Sequence, residues 1–171
     1  MPKSPWRFRS AVAGVGLIAC LIPALASTQS AAAAPSSLNR NKLCTVVTPA
    51  AMGIMIKRNV IKVYPAISQS VATCVYQISG QETGVYISLY ENISRSQFNA
   101  DRAHAAKLGL KPHTVTTFSP NVAYTTQRPH PPFGVSSTII VLKGKQLLAI
   151  NATVATLPQL QLVAKTVLAR L

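Results

Sequence analysis

The first 26 residues decide what kind of domain the rest of the chain can form. Lys3, Arg7 and Arg9 make a basic start, Ala11 to Ala26 is uncharged and mostly apolar, and Ala24-Leu25-Ala26 closes it with small residues. That is the layout of a secretory signal peptide and its cleavage site, residues 1–26. The apolar stretch is shorter than the roughly 20 residues a membrane span needs, and Pro23 interrupts it. Export then governs the cysteines. Cleavage after Ala26 leaves Cys44 and Cys74, and an even count in an oxidising compartment argues for one disulfide. Two free thiols are the alternative reading; a redox CxxC pair is excluded by the spacing. The bond would close a loop of about 30 residues, which the chain-entropy argument values at roughly 3–4 kcal/mol.

Cys20 offers a second fate. Leu17-Ile18-Ala19-Cys20 resembles a lipobox, whose Cys is acylated and becomes the new N-terminus, yet Leu21-Ile22-Pro23 stays apolar where a lipoprotein usually turns polar. Cleavage after Ala26 is therefore the expected outcome and lipidation at Cys20 the alternative. A lipid would hold the domain at a membrane, whereas ordinary cleavage releases it into the envelope, the periplasm or the medium. Residues 27–41 are mostly Ser, Gln, Ala, Pro and Asn with Leu38 the one large apolar residue, so they read as a disordered spacer. Residues 42–171, about 130 in number, suffice for one modest core.

Local signals then mark the elements. Thr48-Pro49 opens a helix to about Lys57, with Ala51, Met52, Met55 and Ile56 on the core side and Gly53 weakening it slightly. Val71 to Ile78 and Val85 to Tyr90 alternate as the two strands of a hairpin, the first carrying Cys74 on a rigid element. In the second, Val85, Ile87 and Leu89 face one way and Tyr86, Ser88 and Tyr90 the other. Ser94 with Gln97 begins a helix with an apolar stripe of Phe98, Ala105 and Leu108, stopped at Gly109. Val122 to Thr126 is a short strand, and Arg128-Pro129-His130-Pro131-Pro132-Phe133-Gly134 reads as an exposed loop because its prolines fix φ and lack donors. Thr138 to Leu142 and Gln146 to Thr153 form a hairpin about Lys143-Gly144-Lys145. Thr156 caps a final helix in which Leu160, Val163, Ala164, Val167, Leu168 and Leu171 recur on one face. The expectation is an α+β domain, an antiparallel sheet of about five strands with helices packed on it.

The order of these pieces carries a resemblance. Leu43-Cys44-Thr45-Val46-Val47-Thr48-Pro49-Ala50, then Cys74-Val75-Tyr76, Phe98, Lys143-Gly144-Lys145-Gln146-Leu147-Leu148 and the Leu-rich run from Leu160 to Leu168 span most of the mature domain. In this order they resemble the small exported proteins and lipoproteins of the actinobacterial cell envelope that are grouped as domains of unknown function. The resemblance implies an α+β sandwich and an envelope location, and it supplies no catalytic residues.

Chemistry has few candidates. The acids are Glu82, Glu91 and Asp101, too few for most acid–base constellations. Asp101 and His104, at i and i+3 on one helix, can touch, which would make the core of a hydrolase or, in the plainer reading, a surface ion pair. His104, His113 and His130 lack ligand spacing, and no Gly-rich phosphate loop or serine-hydrolase motif occurs in the mature part. No catalytic residue, metal or cofactor is expected. Asn92-Ile93-Ser94 and Asn151-Ala152-Thr153 match a glycosylation sequon by chance composition. Charge is the unusual feature. Once Lys3, Arg7 and Arg9 leave with the leader, fourteen basic residues face three acids, an excess of eleven. Lys57, Arg58 and Lys62, then Arg102, Lys107 and Lys111, then Lys143 and Lys145 form three basic clusters. Converging on one face they would bind an anionic membrane surface or a polyanion; dispersed, they only solubilise. Tyr86 and Tyr90 could stack on a ligand or pack beneath a helix, and no specific nucleic-acid site is marked. The functional expectation is a non-catalytic binding module for an envelope partner or small ligand held between sheet and helices, with an anionic-surface binder as the alternative and a hydrolase third.

Overall fold

The structure, a computed structural model, describes residues 40–68, 71–132 and 134–171. The leader, Cys20 and the spacer up to residue 39 lie outside the described residues. Helix α1 runs Arg40–Val46 and so takes in the last two residues of the expected spacer. Helix α2 follows at Pro49–Ile56, then strands β1 (Val60–Ser68), β2 (Val71–Ile78) and β3 (Gly84–Tyr90), and helix α3 (Arg95–Lys107). Strand β4 (His113–Thr114), a single 3₁₀ turn at Thr116–Phe118, β5 (Val122–Pro129), β6 (Val135–Lys143), β7 (Gln146–Ala152) and α4 (Leu157–Leu168) complete the chain.

The sheet has seven strands rather than five, in the order β1-β2-β3-β7-β6-β5-β4 with every neighbouring pair antiparallel. The α+β class therefore stands and the strand count is corrected by β1 and β4. Both are edges. β1 interrupts its alternation with Lys62 and Pro65, which an edge strand tolerates because one side of its backbone need not donate to a neighbour; Pro65 sits opposite Cys74. β4 spans two residues, too few to leave a periodic signal. The proline-rich loop is also shorter than the sequence suggests. Arg128 and Pro129 pair with Ser136 and Val135, extending the β5–β6 hairpin past Thr126.

The caps form where the hydroxyls predict them. The Thr48 hydroxyl accepts from the Ala51 N–H at 3.2 Å. Ser94 Oγ accepts from the Gln97 N–H while Gln97 Oε1 accepts from the Ser94 N–H at 2.7 Å, a reciprocal box. Gln159 Oε1 accepts from the Thr156 N–H at 2.8 Å, and its amide donates to the Ile56 carbonyl, tying α4 to the end of α2. Gly53 has a packing reason: a Cβ there would lie 2.8 Å from the Arg58 carbonyl oxygen, where the chain turns back at the end of α2.

The main core lies between one face of the sheet and α1, α2 and α4. Cys74, Tyr76, Ile78, Val85, Ile87, Ile139, Val141, Leu148 and Ile150 come from the strands, and Leu160, Val163, Ala164 and Val167 from the stripe of α4. Cys44 and Cys74 are joined as a disulfide with Cα atoms 5.2 Å apart, inside the range that needs no backbone movement. Two residues along the same face of β2, the buried Tyr76 hydroxyl donates to the Val47 carbonyl at 2.8 Å. Burial pushes its phenol up to about 12, because an anion there would lose water without gaining a donor.

Candidate functional site

Among the described residues, the second face of the sheet is covered at one end only, by α3. Helix α3 lays Phe98 on Tyr124, Leu142 and Leu147, with Tyr90, Ile93, Val122, Ile140 and Ala149 packed against that cluster. Phe98 and Tyr124 meet edge to face at a centroid separation of 5.3 Å, a favourable aromatic geometry. Ala105 is buried too, whereas Leu108, expected on the same stripe, is 63% exposed. It follows the last helical residue, and the chain has already turned away from the sheet.

A cleft of about 390 Å³ opens between α3 and the strands, lined by Tyr90, Ile93, Gln97, Phe98, Asp101, Ile140, Leu147 and Ala149. This volume falls within the range of small-ligand sites. Its walls are aliphatic and aromatic apart from Gln97, the Tyr90 hydroxyl and the Asp101 carboxylate. Asp101 Oδ2 accepts from the Tyr124 hydroxyl at 2.5 Å. Burial first, and then this bond and the carboxylate's charge, hold the Tyr124 phenol well above its ordinary value. The partner of Asp101 thus comes from the sheet beneath it, a residue that the i, i+3 reading toward His104 does not consider. Tyr124 carried no signal in the sequence beyond an aromatic in a strand.

The two tyrosines of β3 differ in their surroundings. Tyr90 packs under α3, while Tyr86, four residues back on the same face of β3, is 38% exposed. The helix stops short of Tyr86, so among the described residues the face beyond it is uncovered.

The basic residues do not gather at this cleft. Lys57 and Arg58 follow α2 at the end of the sheet where β1 begins, and Lys143 and Lys145 stand at the β6–β7 turn at the opposite end of the strands. Lys143 Nζ donates to the Leu168 carbonyl at 3.0 Å, closing the C-terminal end of α4. Arg102 donates to Thr114 Oγ1 at 2.7 Å and so ties α3 to β4. Lys107 ends α3, and Lys111 follows it with a φ of 43°. Lys62 alone of the eight lies on the open sheet face, its ammonium 5.4 Å from the Tyr64 ring centre. Dispersed charge accounts for most of them. Of the histidines, His104 is on α3, His113 in β4 and His130 beyond β5; among the described residues no group of three or more His, Cys, Asp or Glu is placed to hold a metal ion. Asn151, in one sequon, donates its amide hydrogens to Ser136 and Thr138.

A larger hollow of about 710 Å³ lies on the other side, lined by Lys57, Arg58, Gln127, Val135 and the first turn of α4. The Thr156 N–H at that helix start is already taken by Gln159. Among the described residues no helix is long and apolar enough to cross a membrane. Compared with known protein families and with curated proteins, the chain matches none.

Proposed function

We propose that this is a non-catalytic binding module of the cell envelope, and that the cleft between α3 and the sheet holds a small, largely apolar ligand. One observation carries the reading: a ligand-sized cleft with aliphatic and aromatic walls meets a single carboxylate at its rim. Apolar walls supply affinity by removing ligand surface from water, and a few polar groups, Asp101 the one charged among them, orient what binds. Asp101 already accepts from Tyr124, which suits a fixed acceptor for a ligand N–H, O–H or ammonium better than a group that must shuttle protons. The basic start and the Ala24-Leu25-Ala26 triplet support export, as does the resemblance to small envelope proteins.

The test uses the neutral fluorophore N-phenyl-1-naphthylamine and the variant Ala149→Phe, which places a ring in the cleft from the β7 floor. The wild-type protein should show one saturable site, and the variant should lose it while keeping its cooperative melt. Equal saturation in both proteins, or no saturable site in the wild type, overturns the reading.

A further inference from the structure

The part of the sheet that α3 leaves open carries two rows of side chains running across the strands. In the first, Lys62 pairs with Gln77 and Gln77 with Gly84; Ser136 pairs with Arg128 at the far side. In the second, register links Tyr64, Val75, Tyr86, Asn151, Thr138 and Thr126 in one unbroken line from β1 to β5. Five strand spacings separate β1 from β5, about 24 Å. A cation stands at each end of these rows, Lys62 on the edge strand β1 and the exposed Arg128 on β5, past the two residues that pair with β4.

Between these ends the face is neutral and rich in hydrogen-bonding groups. A hollow of about 190 Å³ is lined by Thr83, Tyr86, His130, Ser136, Asn151 and Thr153. Asn151 donates to Ser136 Oγ at 2.9 Å and to Thr138 Oγ1 at 2.7 Å. Those hydroxyls accept from the amide, so their own hydrogens are left to point elsewhere, toward whatever lies on the face. The Thr73 and Ser88 hydroxyls are hydrogen-bonded to each other at 2.9 Å. Tyr64 and Tyr86 flank the buried Val75 and are 40% and 38% exposed. Two strand spacings separate them, about 10 Å, a length comparable to a disaccharide repeat.

We propose that this open face binds an acidic polysaccharide laid across the strands from Lys62 to Arg128. Aromatic rings take the C–H faces of alternate sugars, the hydroxyl and amide groups between them match the sugar hydroxyls, and the cations at the two ends pair with carboxylate or phosphate groups on the glycan. A single-stranded nucleic acid fits less well. It carries a charge at every nucleotide and calls for a continuous basic groove, whereas the charge here sits at the two ends. The site shares no lining residue with the cleft under α3 and is independent of the ligand proposed there.

The experiment titrates the full protein with a hyaluronate hexasaccharide, whose carboxylates fall on alternate sugars, beside the neutral chitohexaose and a ten-nucleotide oligothymidylate. Tyr86→Ala should weaken hyaluronate binding by about tenfold or more. Arg128→Gln, at an exposed position that does not threaten folding, should weaken it less and lower the log–log salt slope by about one. Chitohexaose should bind more weakly than hyaluronate. No hyaluronate binding, binding indifferent to both substitutions, or tighter binding of the oligothymidylate overturns the proposal; the last outcome would assign the face to nucleic acid.

Discussion

Removing the disulfide should cost this domain much of its stability, and the cost should depend on Tyr76. Helix α1 has seven residues, far fewer than the 12–15 that an isolated helix needs to hold itself in water. It is held from outside: Cys44 is bonded to Cys74, Arg170 donates to the Val46 carbonyl, and Tyr76 donates to the Val47 carbonyl. The paired Cys44→Ala and Cys74→Ala substitutions open a loop with a sequence separation of 30. The chain-entropy expression gives about 3.7 kcal/mol for that loop at 25 °C, a large share of the roughly 5–15 kcal/mol that holds a domain together. Tyr76→Phe leaves a buried carbonyl without its donor, which costs about 1–3 kcal/mol. The two losses should not add. Without the staple α1 can fray, water reaches Val47, and the hydroxyl has less to satisfy. Urea unfolding of the four proteins closes the cycle, with a coupling of about 1 kcal/mol expected. A loss below about 1 kcal/mol on removing both cysteines would refute the view that the staple acts by constraining the unfolded chain. Strict additivity would refute the view that both contacts hold one element.

Two further outcomes follow from the same core. The Tyr76 phenol titrates near 12 in the folded state against 10.0 unfolded, so the folded protein keeps a proton that the unfolded chain has lost. Its contribution is whole below about pH 10 and is lost as pH rises through about 12. Chemical denaturation between pH 9 and 12 should show the wild type losing stability more steeply than Tyr76→Phe, by about 1 kcal/mol per pH unit; parallel curves would count against it. Gly84→Ala should destabilise by more than about 2 kcal/mol, because its Cβ would lie 2.2 Å from the Tyr76 carbonyl oxygen on the paired strand. Gly80→Ala meets no atom within 4 Å and bears only its positive φ of 71°, so its cost should be about 1–2 kcal/mol, and thermal melts of the two variants would separate steric overlap from backbone preference.

What the sequence determined by itself is what neighbours within a few residues can specify. Thr48, Ser94 with Gln97, and Thr156 mark three helix starts through side chains that reach one turn ahead, and α2, α3 and α4 begin there. The alternation of Cys74, Tyr76 and Ile78 and the stripe Leu160, Val163, Ala164, Val167 name the buried faces correctly. The cysteine count, read with the export expected from the leader, points to the bond that joins Cys44 to Cys74. The rest was decided by position in the sheet. Lys62 and Pro65 break a strand pattern, yet β1 forms because it lies at an edge. Tyr86 and Tyr90 alternate identically, and only the reach of α3 partly buries one and leaves the other exposed. Asp101 finds Tyr124, 23 residues away, rather than the His104 that shares its helix. The cleft and the open face likewise arise from β3 pairing with β7, Val85 opposite Ala152. Neither strand's own pattern says which partner it will take. That choice depends on packing the whole core at once, since each strand gains its burial only when all the others are in place.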